Sequence, residues 1–210
     1  MNLTYKEAWE NVGGLSVPSK MPCYGWSISA KLCKIGSKLH EIPGSVCSGC
    51  YALRGNYMFP CVQNAMKRRL EKFYSKEFIP SLIYLLQSLD QKHFRWFDSG
   101  DLQDSEMFNR IVEIAVLCPD IKFWLPTKEY KIVSHYIERG FKIPSNLTIR
   151  LSGYMINESG PVSLAKKLHV NISEVRQDNF TCPASKQDNF CGTCRKCWDK
   201  KEFNVIYKKH

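Results

Sequence analysis

At 210 residues, with 44% hydrophobic and 12% aromatic content, the chain has the composition of one ordinary globular domain able to bury a core. The N-terminal MNLTYKEAWENVGG lacks the basic-then-apolar pattern of a secretory signal, and the longest apolar candidate, 78–89, is too short for a membrane helix. The net charge of +10 permits a polyanionic partner such as nucleic acid, but its lysines and arginines divide between one predicted helix (Lys67, Arg68, Arg69, Lys72) and the tail (Lys200, Lys201, Lys208, Lys209), as on a solvated surface.

The expected organisation is a single domain over 1–210 in three parts: a cysteine-containing segment to 61, a helical and β-α core over 62–170, and a cysteine-rich segment over 171–210. The first part is rich in Gly, Pro, Ser and Cys and shows no sustained helical period, so it reads as loops and short strands. A helix follows over 62–74, with apolar or aromatic residues at Val62, Met66, Leu70, Phe73 and Tyr74. Ser75 is placed to cap a second helix that carries Pro80 in its first turn.

A strand–loop–helix rhythm then repeats. FRWF (94–97) is an aromatic strand ending in the turn DSGDLQD, and Asp104 or Ser105 caps a helix carrying Phe108, Ile111, Val112, Ala115 and Val116 on one side. IKFWL (121–125) is the next strand, Pro126-Thr127 a turn, and 128–139 a helix closed by Gly140. LTIRLS (147–152) is a third strand, followed by a weaker helix over 161–168. This alternation predicts an α/β fold of parallel β-α units, with loops 98–101, 126–128 and 152–156 sharing the face at the strands' carboxyl ends. Phe94, Trp96, Phe97, Phe123 and Trp124 are expected in the core, because alternate residues of a buried strand must be apolar.

Seven of the ten cysteines form two constellations: Cys33, Cys47 and Cys50, then Cys182, Cys191, Cys194 and Cys197 in a C-x8-C-x2-C-x2-C run. Cysteines three residues apart can place both sulfurs on one metal, and without a secretion signal the clustering favours metal over disulfides. The C-terminal four can complete one tetrahedral zinc or one 4Fe-4S cluster, and the C-x2-C-x2-C run is more ferredoxin-like than zinc-ribbon-like. The N-terminal three leave one iron of such a cluster open, for a small molecule or for a C-terminal cysteine. The two groups are thus halves of one site or two sites. Cys118, late in an amphipathic helix, reads as core, and Cys23 and Cys61 lack a C-x2-C partner. In WFDSGDL, Asp98, Ser99, Gly100 and Asp101 end a strand, with carboxylates suited to an amine or hydroxyl and a glycine that permits close approach; Thr127, Arg150 and Ser152 hold similar positions.

GSVCSGCYALRGNY, FRWFDSGDL, FWLPTKE and CPA…CGTCRKCW together resemble the phage "gene product 88" family, whose members are taken to be iron–sulfur proteins, over roughly residues 20–198. The layout is also similar, more distantly, to radical S-adenosylmethionine enzymes. There a cysteine trio follows the first strand of a partial barrel, a Gly/acid motif ends the second, and later strand ends contact the cofactor. That resemblance implies a half-barrel-like sheet, a 4Fe-4S cluster on Cys33, Cys47 and Cys50, and S-adenosylmethionine held near Ser99-Gly100-Asp101, Thr127 and Ser152. Two departures stand out: 13 residues separate Cys33 from Cys47, and the acid motif is S-G-D-L. The expected function is an iron–sulfur protein of the host-cell cytoplasm, with a redox or radical role and a small molecule or redox protein as partner. The alternative is a zinc-stabilised nucleic-acid-binding module.

Overall fold

The structure, a computed structural model, describes residues 3–209. Six strands pair in chain order, every neighbour parallel: β1 (Gly25–Trp26), β2 (His93–Trp96), β3 (Lys122–Thr127), β4 (Leu147–Ser152), β5 (Asn171–Arg176) and β6 (Asn204–Lys208). The order never reverses, so the sheet winds in one direction, as in a β/α barrel, but it does not close: β1 and β6 remain edges. Among the described residues no helix is long and apolar enough to cross a membrane.

Alternation along the strands assigns the two faces. Trp26, Phe94, Trp96, Phe123, Leu125, Leu147, Ile149, Leu151 and Ile172 pack into one core with the apolar sides of the helices. These helices are α1 (Tyr5–Asn11), α3 (Pro60–Phe73), α4 (Phe78–Ser88), α5 (Ser105–Leu117), α6 (Tyr130–Glu138) and α7 (Val162–Leu168), while α2 (Lys34–His40) lies near the cysteines. The residues between them on the strands are polar or tightly packed: His93, Arg95, Trp124, Thr148, Arg150, Asn171, Ser173 and Tyr207. That second face is covered by the connection from β5 to β6, which holds the four C-terminal cysteines and no α-helix.

The covering segment is fastened by Arg150. Its side chain is fully buried, and all five guanidinium N–H groups donate to carbonyls: Nε to Cys197 (3.1 Å), Nη1 to Ile172 (3.1 Å) and Glu202 (2.8 Å), Nη2 to Lys196 (2.6 Å) and Asp199 (3.0 Å). Thr148 Oγ1 donates to the Trp198 carbonyl at 2.8 Å, and Trp198 Nε1 donates to Phe94 O at 2.9 Å. Trp198, Trp124 and Cys23 make a small second core there.

Several sequence expectations change. The first 60 residues contain two helices: α1, started by a Thr4–Glu7 capping box legible as T-x-x-E, and α2. Ser75 does not cap α4, whose N-cap is Glu77, whereas Asp104 caps α5 by accepting from Met107 N at 2.7 Å. Pro126-Thr127 is strand rather than turn. Pro126 pairs with Arg150 on the β4 side, and β2 has already ended, its pairing stopping at Arg95↔Trp124, so the missing N–H leaves no acceptor unmet there. The 171–210 segment supplies β5 and β6, so the sheet reaches the C-terminal end. Phe94, Trp96, Phe97 and Phe123 lie in the main core, Trp124 in the smaller one, and Cys118 is core.

Replacing Arg150 by Met keeps the bulk of the stem but strands buried carbonyls. Arg150→Met is expected to lower the unfolding free energy by about 3–5 kcal/mol in urea titrations and to make the 182–202 segment sensitive to limited proteolysis. A loss under about 1 kcal/mol would show that the clamp is not what holds that segment.

Candidate metal centre and ligand cavity

The 13 residues between Cys33 and Cys47 fold back on themselves. Cys33 ends a 3-10 turn (Ala30–Leu32) and begins α2; after α2, Val46 N donates to Tyr154 O (2.8 Å) and Ile156 N to Gly44 O (2.9 Å), pinning the return to the loop after β4. His40 Nδ1 contacts Cys47 O at 3.0 Å, and Cys50 starts the next 3-10 turn. Gly36 in α2 faces the result. A methyl group there would stand 2.9 Å from Cys33 Cβ, 3.6 Å from Cys33 Sγ and 3.7 Å from Cys47 Sγ, so one glycine underlies two of the sulfurs.

Cys33, Cys47 and Cys50 line a cavity of about 560 Å³ at the carboxyl ends of β2, β3 and β4. Asp98, Ser99, Gly100, Asp101, Thr127 and Ser152 line the same cavity, so all the residues that the sequence singled out around the trio meet there. Their polar atoms are largely engaged within the protein. Asp101 accepts from Thr127 Oγ1 (2.6 Å), Leu102 N (2.8 Å) and Lys128 N (2.8 Å). Asp98 accepts from Ser27 Oγ and from Tyr57 OH (2.9 Å), Tyr51 OH donates to the Asp98 carbonyl, and Ser99 Oγ donates to Ile28 O at 2.7 Å. Within the protein these carboxylates brace the turn that ends β2. That turn needs bracing, because buried Phe97 has φ 53°, a left-handed conformation costly for a bulky residue, and Gly100 has φ 81° with Ile28 too close for any Cβ.

Arg150 is likewise committed to the clamp. The residues the sequence reading missed are Gly36, Tyr51, Tyr57, Arg95 and Tyr207. A lone arginine inside FRWF was the available signal for Arg95.

The C-terminal cysteines gather separately. Cys182 and Cys191 line an adjacent cavity of about 490 Å³, and Cys197 Sγ lies 3.2 Å from Tyr207 OH. The charges that act on Cys182, Cys191 and Cys197 include one another's, that of Cys194 and those of the cations Arg95, Arg150, Arg195 and Lys196, and Cys23 lies near Cys191 and Cys197; those that act on Cys33 and Cys47 come from their own trio, Asp101 and Lys128. The trio lines one cavity, and Cys182 and Cys191 line the adjacent one. Among the described residues no three Cys, His, Asp or Glu side chains stand at the spacing of a closed metal site.

Burial makes these thiols reluctant to ionise. It raises Cys33 strongly, with Asp101 adding to the effect, raises Cys47, and pushes Cys23 up to about 12 and Cys197 up to about 11. A bound metal must therefore displace protons. The donor chemistry suits a thiolate centre: three thiols share one cavity, two of them over Gly36, and four more lie on the segment that covers the sheet.

Fold and site together define an α/β protein with a singly wound, open parallel sheet and a thiol-lined cavity at its strand ends. The family profile of Gene product 88 matches residues 2–200, and the chain belongs to that family. No curated protein and no solved structure matches it significantly.

Burial also raises Asp101 to about 6 against an ordinary value of 3.8. Between those values the folded state holds a proton that the unfolded chain has released, so stability from this group grows as pH falls from about 6 toward 4. Denaturation at pH 4.5 and pH 7 is expected to show that component in the native protein and not in Asp101→Asn; equal pH dependence in both would assign the slope elsewhere.

Proposed function

We propose that the chain is an iron–sulfur protein that carries a 4Fe-4S cluster on Cys33, Cys47 and Cys50, with the fourth iron facing the adjoining cavity. The observation that supports it is the sharing of one cavity by the three thiols and the carboxyl ends of three parallel strands, where folds of this winding place their chemistry. Bound there, the cluster would supply one-electron chemistry. The chain's own residues hold the sulfurs over Gly36, brace the β2 turn through Asp98 and Asp101, and line the cavity with Tyr51, Arg95 and Lys128. The role is redox or radical-type, with S-adenosylmethionine as the small molecule that the open iron would take and a small substrate or redox protein as partner.

A second reading applies to the other group. Cys182, Cys191, Cys194 and Cys197 sit on the loop that Arg150 clamps, which favours a structural centre, with zinc as the alternative metal. The nucleic-acid alternative loses its aromatic support, because Phe94, Trp96, Phe97 and Phe123 are buried under the helices and cannot stack on bases.

Anaerobically purified protein is expected to hold about four irons and four sulfides at the trio, with an EPR signal in the reduced state that S-adenosylmethionine perturbs. Cys47→Ser and Cys50→Ser should lose that signal while remaining folded, and Cys194→Ser should instead impair folding. A colourless protein containing only zinc would sink the proposal. An iron signal indifferent to S-adenosylmethionine, with no cleavage to 5′-deoxyadenosine, would leave electron transfer alone.

Gly36→Ala separates a cluster role from a fold role. By helix propensity it should favour α2 by up to about 1 kcal/mol, yet its methyl would press on Cys33. The expected result is a folded protein with reduced iron content; undiminished iron would show that the glycine does not serve the sulfurs.

A further inference from the structure

The 490 Å³ cavity between the two sulfur groups has a chemistry of its own. Three cationic side chains line it, Lys20, Arg95 and Lys208, against one carboxylate, Asp98, which already accepts from Ser27 and Tyr57. Arg95 is the least satisfied of them. It stacks on Trp124, its guanidinium carbon 4.5 Å from the ring centroid, and among the described residues it makes no ion pair. Nη1 meets the thioether of Met21 at 3.0 Å, Nη2 reaches the Phe97 carbonyl at a long 3.4 Å, the Tyr51 hydroxyl and the Asp98 carboxylate lie close enough to act on its charge, and Nε has no partner. The contrast with Arg150, whose five N–H groups are all used, is direct.

Arg95 is not alone. Two more buried groups without a partner, Trp124 Nε1 and Ser185 Oγ, belong to residues of the same cavity wall. All three can donate, and a buried donor left unpaired costs about 1–3 kcal/mol. Donors in excess, a planar guanidinium supported on an indole, and lysines at the wall make a setting that an oxygen-rich anion would complete. Lys20 and Lys208 are themselves held over rings, Phe190 and Phe180, each at 5.7 Å, so their charges stay near the wall.

We propose that this cavity binds the oxyanion group of a small molecule, a carboxylate or a phosphate, through Arg95 with Trp124 and Ser185 as supporting donors. The site is distinct from the cavity of the cysteine trio, although Tyr51, Arg95, Asp98, Trp124, Tyr207 and Lys208 line both, so a ligand here would lie beside that centre. Cys182 and Cys191 of the C-terminal sulfur group line the same cavity, so the donors are tested with and without bound metal.

The test is calorimetric titration of the anaerobically purified full chain with inorganic phosphate and with acetate, against chloride at matched ionic strength. It is run as purified and after chelation of any metal. Saturable binding of one oxyanion in both states is expected, weakened at least tenfold by Arg95→Gln and severalfold by Ser185→Ala. A preference for phosphate would identify a phosphate-bearing ligand, and a preference for acetate a carboxylate. If Arg95→Gln does not fold, Ser185→Ala and Lys20→Gln decide the matter, because both change residues at the wall of the cavity. Absence of saturable binding, or binding that none of the folded variants weakens, overturns the proposal. So does binding that appears only after metal removal, since the thiolate centre would then be the counter-ion of Arg95.

Discussion

The arrangement depends on one buried cation. Arg150 stands in the middle of β4 on the face away from the helices, and no carboxylate answers it among the described residues; it is satisfied by five carbonyls from the loop that covers it and from β5. Desolvation pulls its pKa below the ordinary arginine value, yet a guanidinium keeps its charge, so the carbonyls must converge for the chain to fold. That convergence turns the 182–202 segment into a lid over the sheet. It places Trp198 on Trp124 and brings Cys197 to Tyr207, and Cys182, Ser185 and Cys191 of the same segment line the smaller cavity.

The turn at the end of β2 is the second organising feature. Its left-handed Phe97 and Gly100 are held by Asp98, Ser99 and Asp101, which spend their hydrogen bonds on Ser27, Tyr57, Ile28, Thr127 and the backbone of Lys128. The acid motif at the wall of the larger cavity thus also braces the turn that carries it. The reactive options left around the larger cavity are three thiols, a buried arginine, three lysines and the tyrosine hydroxyls. Such a set suits binding of a thiophilic metal and an acceptor-rich molecule better than hydrolysis, which needs a free general base.

The two sulfur groups differ in setting as well as number. The trio lies at strand ends beside a cavity, on short turns that begin at Cys33 and Cys50. The quartet lies on the covering segment, where Cys197 packs with Cys23, Trp124, Trp198 and Tyr207. Arg95 stands between them and lines both cavities, so its charge is available to whatever occupies either.

Local chemistry made much of this legible in the sequence. Strand β4 was read to the residue, α3 and α5 nearly so, because their apolar periods and caps are contained in a few turns of chain. The cysteine spacings marked out both sulfur groups, and the strand-end positions were found because a β-α alternation implies which loops share a face. What stayed hidden depends on contacts distant in sequence. The edge strands β1 and β6 are defined by partners rather than by their own pattern. The fastening of the covering segment depends on Arg150, 47 residues from the Cys197 carbonyl it holds. Whether Asp101 is a ligand or a brace was decided by Thr127 and Lys128, which reach it only once β2 and β3 lie side by side. Residue type and spacing settle which groups a chain offers; only packing settles which of them remain free.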